Sequence, residues 1–355
     1  MTIRRIAVLT SGGDAPGMNP AIRAVVKLAA GHDVEVLGVE NGYDGLIDGR
    51  MAPLLPTNEL DAASAFGGTL LGSARSARFR TPEGRAAAAA VLRDRDVQGL
   101  VVIGGNGSLT GAHLLAAEQG VAVVGIPASI DNDIGCTGLA IGVDTALNTI
   151  VEACDRISDT ARAHHRAFIV EVMGRDCGYL AMASAVAAGA DAMLLREHGR
   201  SEEEVVAQVV TVVDRAFGER GKRRVLIIKA EGVKVPCSDL VRGIEDRLEG
   251  RVQGLEVRAT VLGHLVRGGS PSYQDRMIAG RLALGAVDAL LRGASDVMTA
   301  WQPVHPGGKP TIDPSVQLFD LATVLEATAA LLDGESPVTR GRLALIERVE
   351  GVLGL

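Results

Sequence analysis

Between Ile103 and Asp133 the sequence alternates apolar runs and glycine-rich or acidic turns in an order that few folds accept. Gly99 to Ile103 is a strand-like run, Gly104-Gly105-Asn106-Gly107-Ser108 follows it, and Leu109 to Gln119 has helical character. Val121 to Ile126 is a second strand-like run, and Ser129-Ile130-Asp131-Asn132-Asp133 follows. Glycines between a strand and a helix let backbone N–H groups approach phosphate oxygens, and the helix N-terminus favours their negative charge. An acidic segment after the neighbouring strand can hold a metal or accept a proton. A phosphate cradle and a carboxylate pair at one sheet edge predict phosphoryl transfer. Asp131 and Asp133 are two apart, so an extended segment would turn both carboxylates to one side.

The chain around this stretch reads as α/β. Ile6-Ala7-Val8-Leu9 has the continuous apolarity of a strand buried on both faces. Thr10 to Gly17 is a glycine turn, and Asn19 is placed to cap a helix with Pro20 in its first position. That helix runs to about Ala30, and Val34 to Val39 is the next strand, a start that favours a parallel sheet. No Gly-x-x-x-x-Gly-Lys-Ser/Thr occurs, so this is not a P-loop. By itself Gly12-Gly13-Asp14 serves equally as a tight turn or a phosphate site. Arg75, Arg78 and Arg80 form a basic segment beside Gly72, open to solvation or to a phosphate contact. Further strands are expected at Ala167–Val172, Ala192–Leu195, Val225–Ile228 and Val257–Leu262. Helices are expected at Gly84–Arg95, Ala146–His165, Tyr179–Ala188, Ser201–Arg220 and Gln274–Leu291. Beyond Ser295 the prolines at 303, 306, 310 and 314 suggest a crossover before a helical tail.

With 355 residues there is material for two cores, and with only 3% aromatic residues these must be built from Ala, Val, Leu and Ile. A net charge of −7 argues against general nucleic-acid binding, which needs a basic excess, but leaves room for a local arginine cluster around an anion. Cys136, Cys154, Cys177 and Cys237 show no zinc spacing and read as reduced thiols. The first residues lead directly toward a strand without a signal-peptide pattern, and no segment reaches the ~20 apolar residues of a membrane helix. The expectation is a soluble cytoplasmic protein with no membrane partner.

Six blocks in order resemble the bacterial-type 6-phosphofructokinases (phosphofructokinase family A) over almost the whole chain. They are Thr10–Asn19, Gly68–Arg75, Ile130–Asp133, Val170–Arg175, Thr260–His264 and Arg267–Pro271. The resemblance implies two Rossmann-like three-layer domains with parallel-rich sheets and an active site in the cleft between them. Residues 1–142 and 266–312 would form the phosphoryl-donor (ATP) domain, and 143–265 with 313–355 the sugar-phosphate domain. It implies transfer of a phosphoryl group from Mg-ATP to the 1-hydroxyl of fructose 6-phosphate, a step of glycolysis. Asp131 matches the general base, in the manner of the catalytic aspartate of protein kinases. Asp133 and Asn106 would help hold Mg2+, and Arg75 and Arg175 would stabilise the transferred group. Ser129 takes the place of a usual threonine beside the phosphoryl path.

Gly12, Tyr43, Gly105, Gly107, Ser108 and Gly111 match positions lining the donor site. Met173, Gly174, Glu231, His264 and Arg267 match sugar-phosphate contacts. Arg166 and Arg258 match arginines that serve a neighbouring subunit's site, which implies a homo-oligomer, a tetramer by resemblance. Asn106 departs from the family's usual acid; its amide oxygen can still ligate a hard cation but brings no charge. Gly107 and Ala128 stand where pyrophosphate-dependent members carry Asp and Lys, which favours ATP over pyrophosphate as donor. Arg23, Lys27, Arg220, Lys222, Arg223 and Arg224 match positions around the family's effector site, whereas Ser158 replaces a usual arginine and Leu54-Leu55-Pro56 lacks another. A merely basic interface accounts for that cluster equally, and weak or altered effector control is expected. The rival from another class is a non-catalytic nucleotide- or sugar-phosphate-sensing subunit, against which the joint retention of Asp131, Asp133, Arg75 and Arg175 argues.

Overall fold

The computed structural model describes residues 3–353, with side chains described for 3–348. Met1 and Thr2, read as the lead-in to the first strand, lie outside the described residues. The chain forms two compact units, one from 1–145 with 267–331 and the other from 146–266 with 332–355.

The first unit is built on an eight-stranded sheet in the order Lys309–Pro310, Val316–Asp320, Val297–Trp301, Val123–Pro127, Gly99–Gly104, Arg5–Ser11, Glu35–Val39 and Met51–Leu54. Its five inner strands, from Val297–Trp301 to Glu35–Val39, are mutually parallel. Arg5–Ser11 and Gly99–Gly104 are buried along almost their whole length, as their unbroken apolarity requires. The outer strands Met51–Leu54 and Val316–Asp320 are antiparallel to their neighbours. Because Val316–Asp320 pairs with Val297–Trp301, residues 313–331 pack in the first unit instead of following a boundary at 312. The proline-rich stretch after 302 is thus largely an edge hairpin of the first sheet, where missing N–H donors are tolerated.

The chain leaves Arg5–Ser11 toward Glu35–Val39 on one side and later returns to Gly99–Gly104 on the other. This makes a topological switch point between the strands ending at Ser11 and Gly104, where open α/β sheets form a crevice. The first helix begins at Met18, behind Gly17, so Asn19 does not cap it. Asn19 is buried one position inside the helix, donates to the carbonyl of Phe66 at 3.1 Å and accepts from the Leu70 N–H at 2.7 Å. Its amide matches the backbone of the 66–70 loop, and this contact displaces the capping role expected from sequence.

The second unit carries a fully parallel four-stranded sheet in the order Ala192–Leu194, Val225–Ala230, Arg166–Val172 and Glu256–Val261. Its core gathers Ile169, Leu194, Val209, Val213, Ile227, Leu240 and Ile244, all aliphatic. The expected helix Ser201–Arg220 forms as Glu202–Asp214 with a π-turn over Arg215–Glu219, and Ser201 with Glu204 closes a capping box at its start.

Candidate active site

Ser11 pairs in register with Gly104, and Gly104 with Pro127, so three strand ends deliver their loops to one edge of the first sheet. A cavity of about 500 Å³ opens there. Gly12 turns with φ +87°, and a Cβ on it would stand 3.2 Å from the Ser108 hydroxyl oxygen. The helix Asn106–Gln119 starts at this edge without a side-chain cap. Its N-terminal residues Asn106, Gly107 and Ser108 line the cavity, so the positive end of the helix dipole faces it, an arrangement that can receive an anion. The buried Tyr43 donates its hydroxyl to the Ser108 carbonyl at 2.6 Å, and burial pushes that hydroxyl's pKa far up, so it stays a neutral donor.

The acidic segment is a tight turn and not the extended stretch expected from its spacing. Asn132 takes a left-handed conformation (φ 50°), with its side chain donating to the Gly138 carbonyl and accepting from the Ala140 N–H. These two bonds hold a backbone shape that an Asx side chain tolerates. Asp131 and Asp133 nevertheless both line the cavity. The Ser129 hydroxyl donates to Asp133 Oδ1 at 2.7 Å, which orients that carboxylate.

The basic segment divides by partner. Arg78 is tied to Asp48 at 2.7 Å, whereas Arg75 and Arg80 are exposed at the cavity and make no ion pair among the described residues. Arg267, expected from the resemblance at a sugar phosphate, lines this same cavity with its guanidinium donating to the Asp14 carbonyl at 3.1 Å. The cavity therefore gathers Gly12, Tyr43, Arg75, Gly105, Asn106, Gly107, Ser108, Gly111, Ser129, Asp131, Asp133 and Arg267. Sequence reasoning passed over Ser76, Phe79, Arg85, Thr110 and Leu114, which line it too. Phe79 offered a signal: an aromatic between two arginines in an aromatic-poor chain.

Arg166, Met173, Gly174, Arg175, Glu231, Arg258 and His264 belong to the second unit. There the ends of Arg166–Val172 and Val225–Ala230 lie side by side, and Arg175 meets Glu231 at 3.2 Å. The Gly232 N–H donates to the Gly174 carbonyl at 3.3 Å, joining the two turns. Arg166 and Arg258 both pair with Glu256, on the edge strand of that sheet, and hydrogen bonding to Arg166 holds the Glu256 carboxyl below its ordinary range. Among the described residues no cluster of three or more His, Cys, Asp or Glu side chains could hold a metal by itself.

This combination of fold and site defines a phosphate-handling α/β protein. The phosphofructokinase family model matches residues 5–290, and the chain belongs to that family. It is 48% identical over 302 residues to the ATP-dependent 6-phosphofructokinase of Thermotoga petrophila, covering 84% of this chain and 90% of that one. Identity to ATP-dependent 6-phosphofructokinase 1 of Thermus thermophilus is 47% over 299 residues, covering 83% and 89%. Among solved structures, phosphofructokinase from Saccharomyces cerevisiae superposes with a TM-score of 0.82 at 32% identity over 96% of this chain. The chain spans 47% of the length of that yeast chain. The pyrophosphate-dependent phosphofructokinase of Marinobacter aquaeolei, with a TM-score of 0.74 at 22% identity over 91% of this chain and 84% of that one, shows the shared fold. No helix among the described residues is long and apolar enough to cross a membrane.

Proposed function

We propose that the protein transfers the terminal phosphoryl group of Mg-ATP to the 1-hydroxyl of fructose 6-phosphate, giving fructose 1,6-bisphosphate in the cytoplasm as a step of glycolysis. The observation that carries this reading is the single cavity joining an uncapped helix N-terminus, two unpaired arginines and two aspartates. Asp131 takes the proton of the attacking hydroxyl as its oxygen bonds to the terminal phosphorus and the bond from that phosphorus to the bridging oxygen breaks, releasing ADP. Arg75 meets the charge that spreads over the transferred group's equatorial oxygens. Asp133, oriented by Ser129, and the Asn106 amide oxygen suit Mg2+, which needs only one or two protein ligands when phosphates complete its shell. That ion, bound with the donor, offsets phosphate charge. Gly107 faces open space and Ala128 is small, which supports room for a nucleotide.

The first unit takes the donor and the second the sugar phosphate, for which the family pattern offers Met173, Gly174, Arg175, Glu231 and His264. Their support is their placement at adjacent strand ends of the second sheet. Arg258 lies on the open edge strand Glu256–Val261 and Arg166 starts the strand paired with it, and the exposed Val261 and Leu265 lie at and beyond the end of that edge, which suits assembly as a homotetramer whose arginines serve a neighbour.

The test supplies fructose 6-phosphate and Mg2+ with ATP and, in parallel, with pyrophosphate. Product with ATP alone is expected. Product mainly with pyrophosphate overturns the donor assignment and makes Asn106 the first residue to vary; product with neither revives a sensing subunit. Asp131→Ser should abolish turnover and retain fructose 6-phosphate binding, and equal loss of both removes the base assignment.

A further inference from the structure

Arg342 lies in the helix Pro337–Leu353, beyond residue 290 where the family match ends, and neither the resemblance nor the proposed chemistry uses it. Ser336 accepts the Thr339 N–H at 2.9 Å and Pro337 takes the first helical position, which fixes the start of that helix. Thr339, Arg342 and Ile346 recur three and four residues apart, on one helix face. Thr339 and Ile346 are 5% and 3% exposed, so this face is buried and carries Arg342 inward. The Arg342 guanidinium sits over the Tyr179 ring at 4.5 Å and donates to the Cys177 sulfur at 3.6 Å. Arg196 adds a second tie. It donates to the Asp176 carboxylate at 2.8 Å and to the Leu332 carbonyl at 3.4 Å, shortly before the same helix.

These ties close on the turn 173–178, which joins the strand Arg166–Val172 to the helix Tyr179–Ala187 and carries Met173, Gly174 and Arg175. All of these residues lie in the second unit. Backbone fills the other sides of the turn. A Cβ on Gly232 would collide with the Arg175 carbonyl, and one on Gly174 (φ +122°) would stand 2.5 Å from the Cys177 carbonyl oxygen. Glu197 accepts the Gly178 N–H at 2.5 Å, at the positive end of the helix Tyr179–Ala187. The Arg175 side chain itself is 76% exposed. Its placement therefore depends on the backbone beneath it, and misplacing a reacting group by about 1 Å can cost on the order of a hundredfold in rate.

We propose that Arg342 is a positioning residue for this turn: from the helix Pro337–Leu353 it clamps Cys177 and Tyr179 and so holds Arg175 and Met173 in place. This rests on the reading of the turn as the part of the second unit that takes the sugar phosphate. The clamp acts on the acceptor and not on the donor, so its loss separates the two substrates.

Arg342→Met keeps the aliphatic stem and loses the guanidinium. Its kcat/KM for fructose 6-phosphate should fall on the order of tenfold, about 1.4 kcal/mol, while the KM for ATP stays nearly unmoved. Arg342→Lys keeps a cation over the ring but loses the planar fork that also reaches the sulfur, and it should recover part of the loss. In an Arg175→Ala background, read on its residual turnover, Arg342→Met should cost little further, because its effect passes through Arg175. A merely structural residue would cost the same in both backgrounds. Equal loss in both, an ATP KM that rises in step, or an unchanged kcat/KM in the folded Arg342→Met variant overturns the proposal. Should Arg342→Met not fold, Tyr179→Leu removes the other side of the contact and carries the same comparison. If the wild type turns over no fructose 6-phosphate, or Arg175→Ala leaves its kinetics unchanged, the reading of the turn falls first. The clamp is then read from amide hydrogen exchange over 174–178, where faster exchange confined to the turn in Arg342→Met supports it and an unchanged pattern overturns it.

Discussion

The ammonium of Lys229 lies 2.8 Å from the Glu171 carboxylate on the neighbouring parallel strand, and the lysine side chain is only 2% exposed. The pair lies two residues before Glu231 and Met173, which directly follow the ends of the two strands and are proposed for the sugar phosphate. Removing one partner leaves a buried charge uncompensated. Lys229→Met should therefore destabilise the protein by about 3–5 kcal/mol. Lys229→Met with Glu171→Leu should recover most of that in denaturant titrations. Equal loss in the single and double variants would show that the pair stabilises the strands directly.

A second ion pair gives a pH dependence. Asp313, 7% exposed, faces the Arg281 guanidinium in a fork, and the Arg281 guanidinium stacks over Trp301 at 4.6 Å. Hydrogen bonding to Arg281, aided by the Ser315 N–H, holds the Asp313 carboxyl below its ordinary 3.8. A depressed carboxyl pKa contributes stability that is fully present above the unfolded value and is lost as pH falls through the folded one. Thermal melts of the wild type should thus lose this contribution only below about pH 4. Asp313→Asn, weaker by about 1.5–3 kcal/mol at pH 7, should lack that part of the acid slope.

Gly111→Ala adds one methyl where the Tyr43–Phe79 stack presses on the helix. Alanine favours helix by about 1 kcal/mol over glycine, so thermal stability should hold or rise. The ring pair must yield by a few tenths of an ångström, and the ATP KM should increase with little change in the KM for fructose 6-phosphate. Unchanged ATP affinity would mean the rings do not border the nucleotide.

Effector control should be weak. Arg23 and Lys27 both pair with Asp61, Lys222 pairs with the buried Asp191, and Arg224 donates to the Ser158 hydroxyl and the Gly189 carbonyl. An incoming anion would have to displace these bonds. Activity titrated with ADP and with phosphoenolpyruvate is expected to stay flat, and a strong sigmoidal shift would refute this.

The cysteines should be inert in the native state. Burial pushes the Cys136 and Cys154 thiols up to about 11, and burial with the nearby Glu171 carboxylate pushes Cys237 up to about 12. Alkylation by iodoacetamide near neutral pH should be slow until denaturant is added, since the thiolate is the nucleophile. Rapid native labelling of Cys237 would count against its hydrogen bond to Glu171.

Local pattern determined much of this protein. Continuous apolar runs marked the strands Arg5–Ser11, Gly99–Gly104 and Val225–Ala230, and the glycine turns after the first two marked loops that line the cavity, because burial on both faces and close backbone approach each constrain a few consecutive residues. Only the tertiary structure decided which side chains were free to act. Asn19 reads as a cap but bonds a loop 47 residues away, and the Asp131–Asp133 segment reads as extended but is turned by Asn132. Among the arginines of one basic run, Asp48 occupies Arg78 while Arg75 and Arg80 stay open, and Glu118 reaches Arg85 from 33 residues away. A side chain's partner is set by what the fold brings within about 3 Å of it, and no local pattern carries that distance.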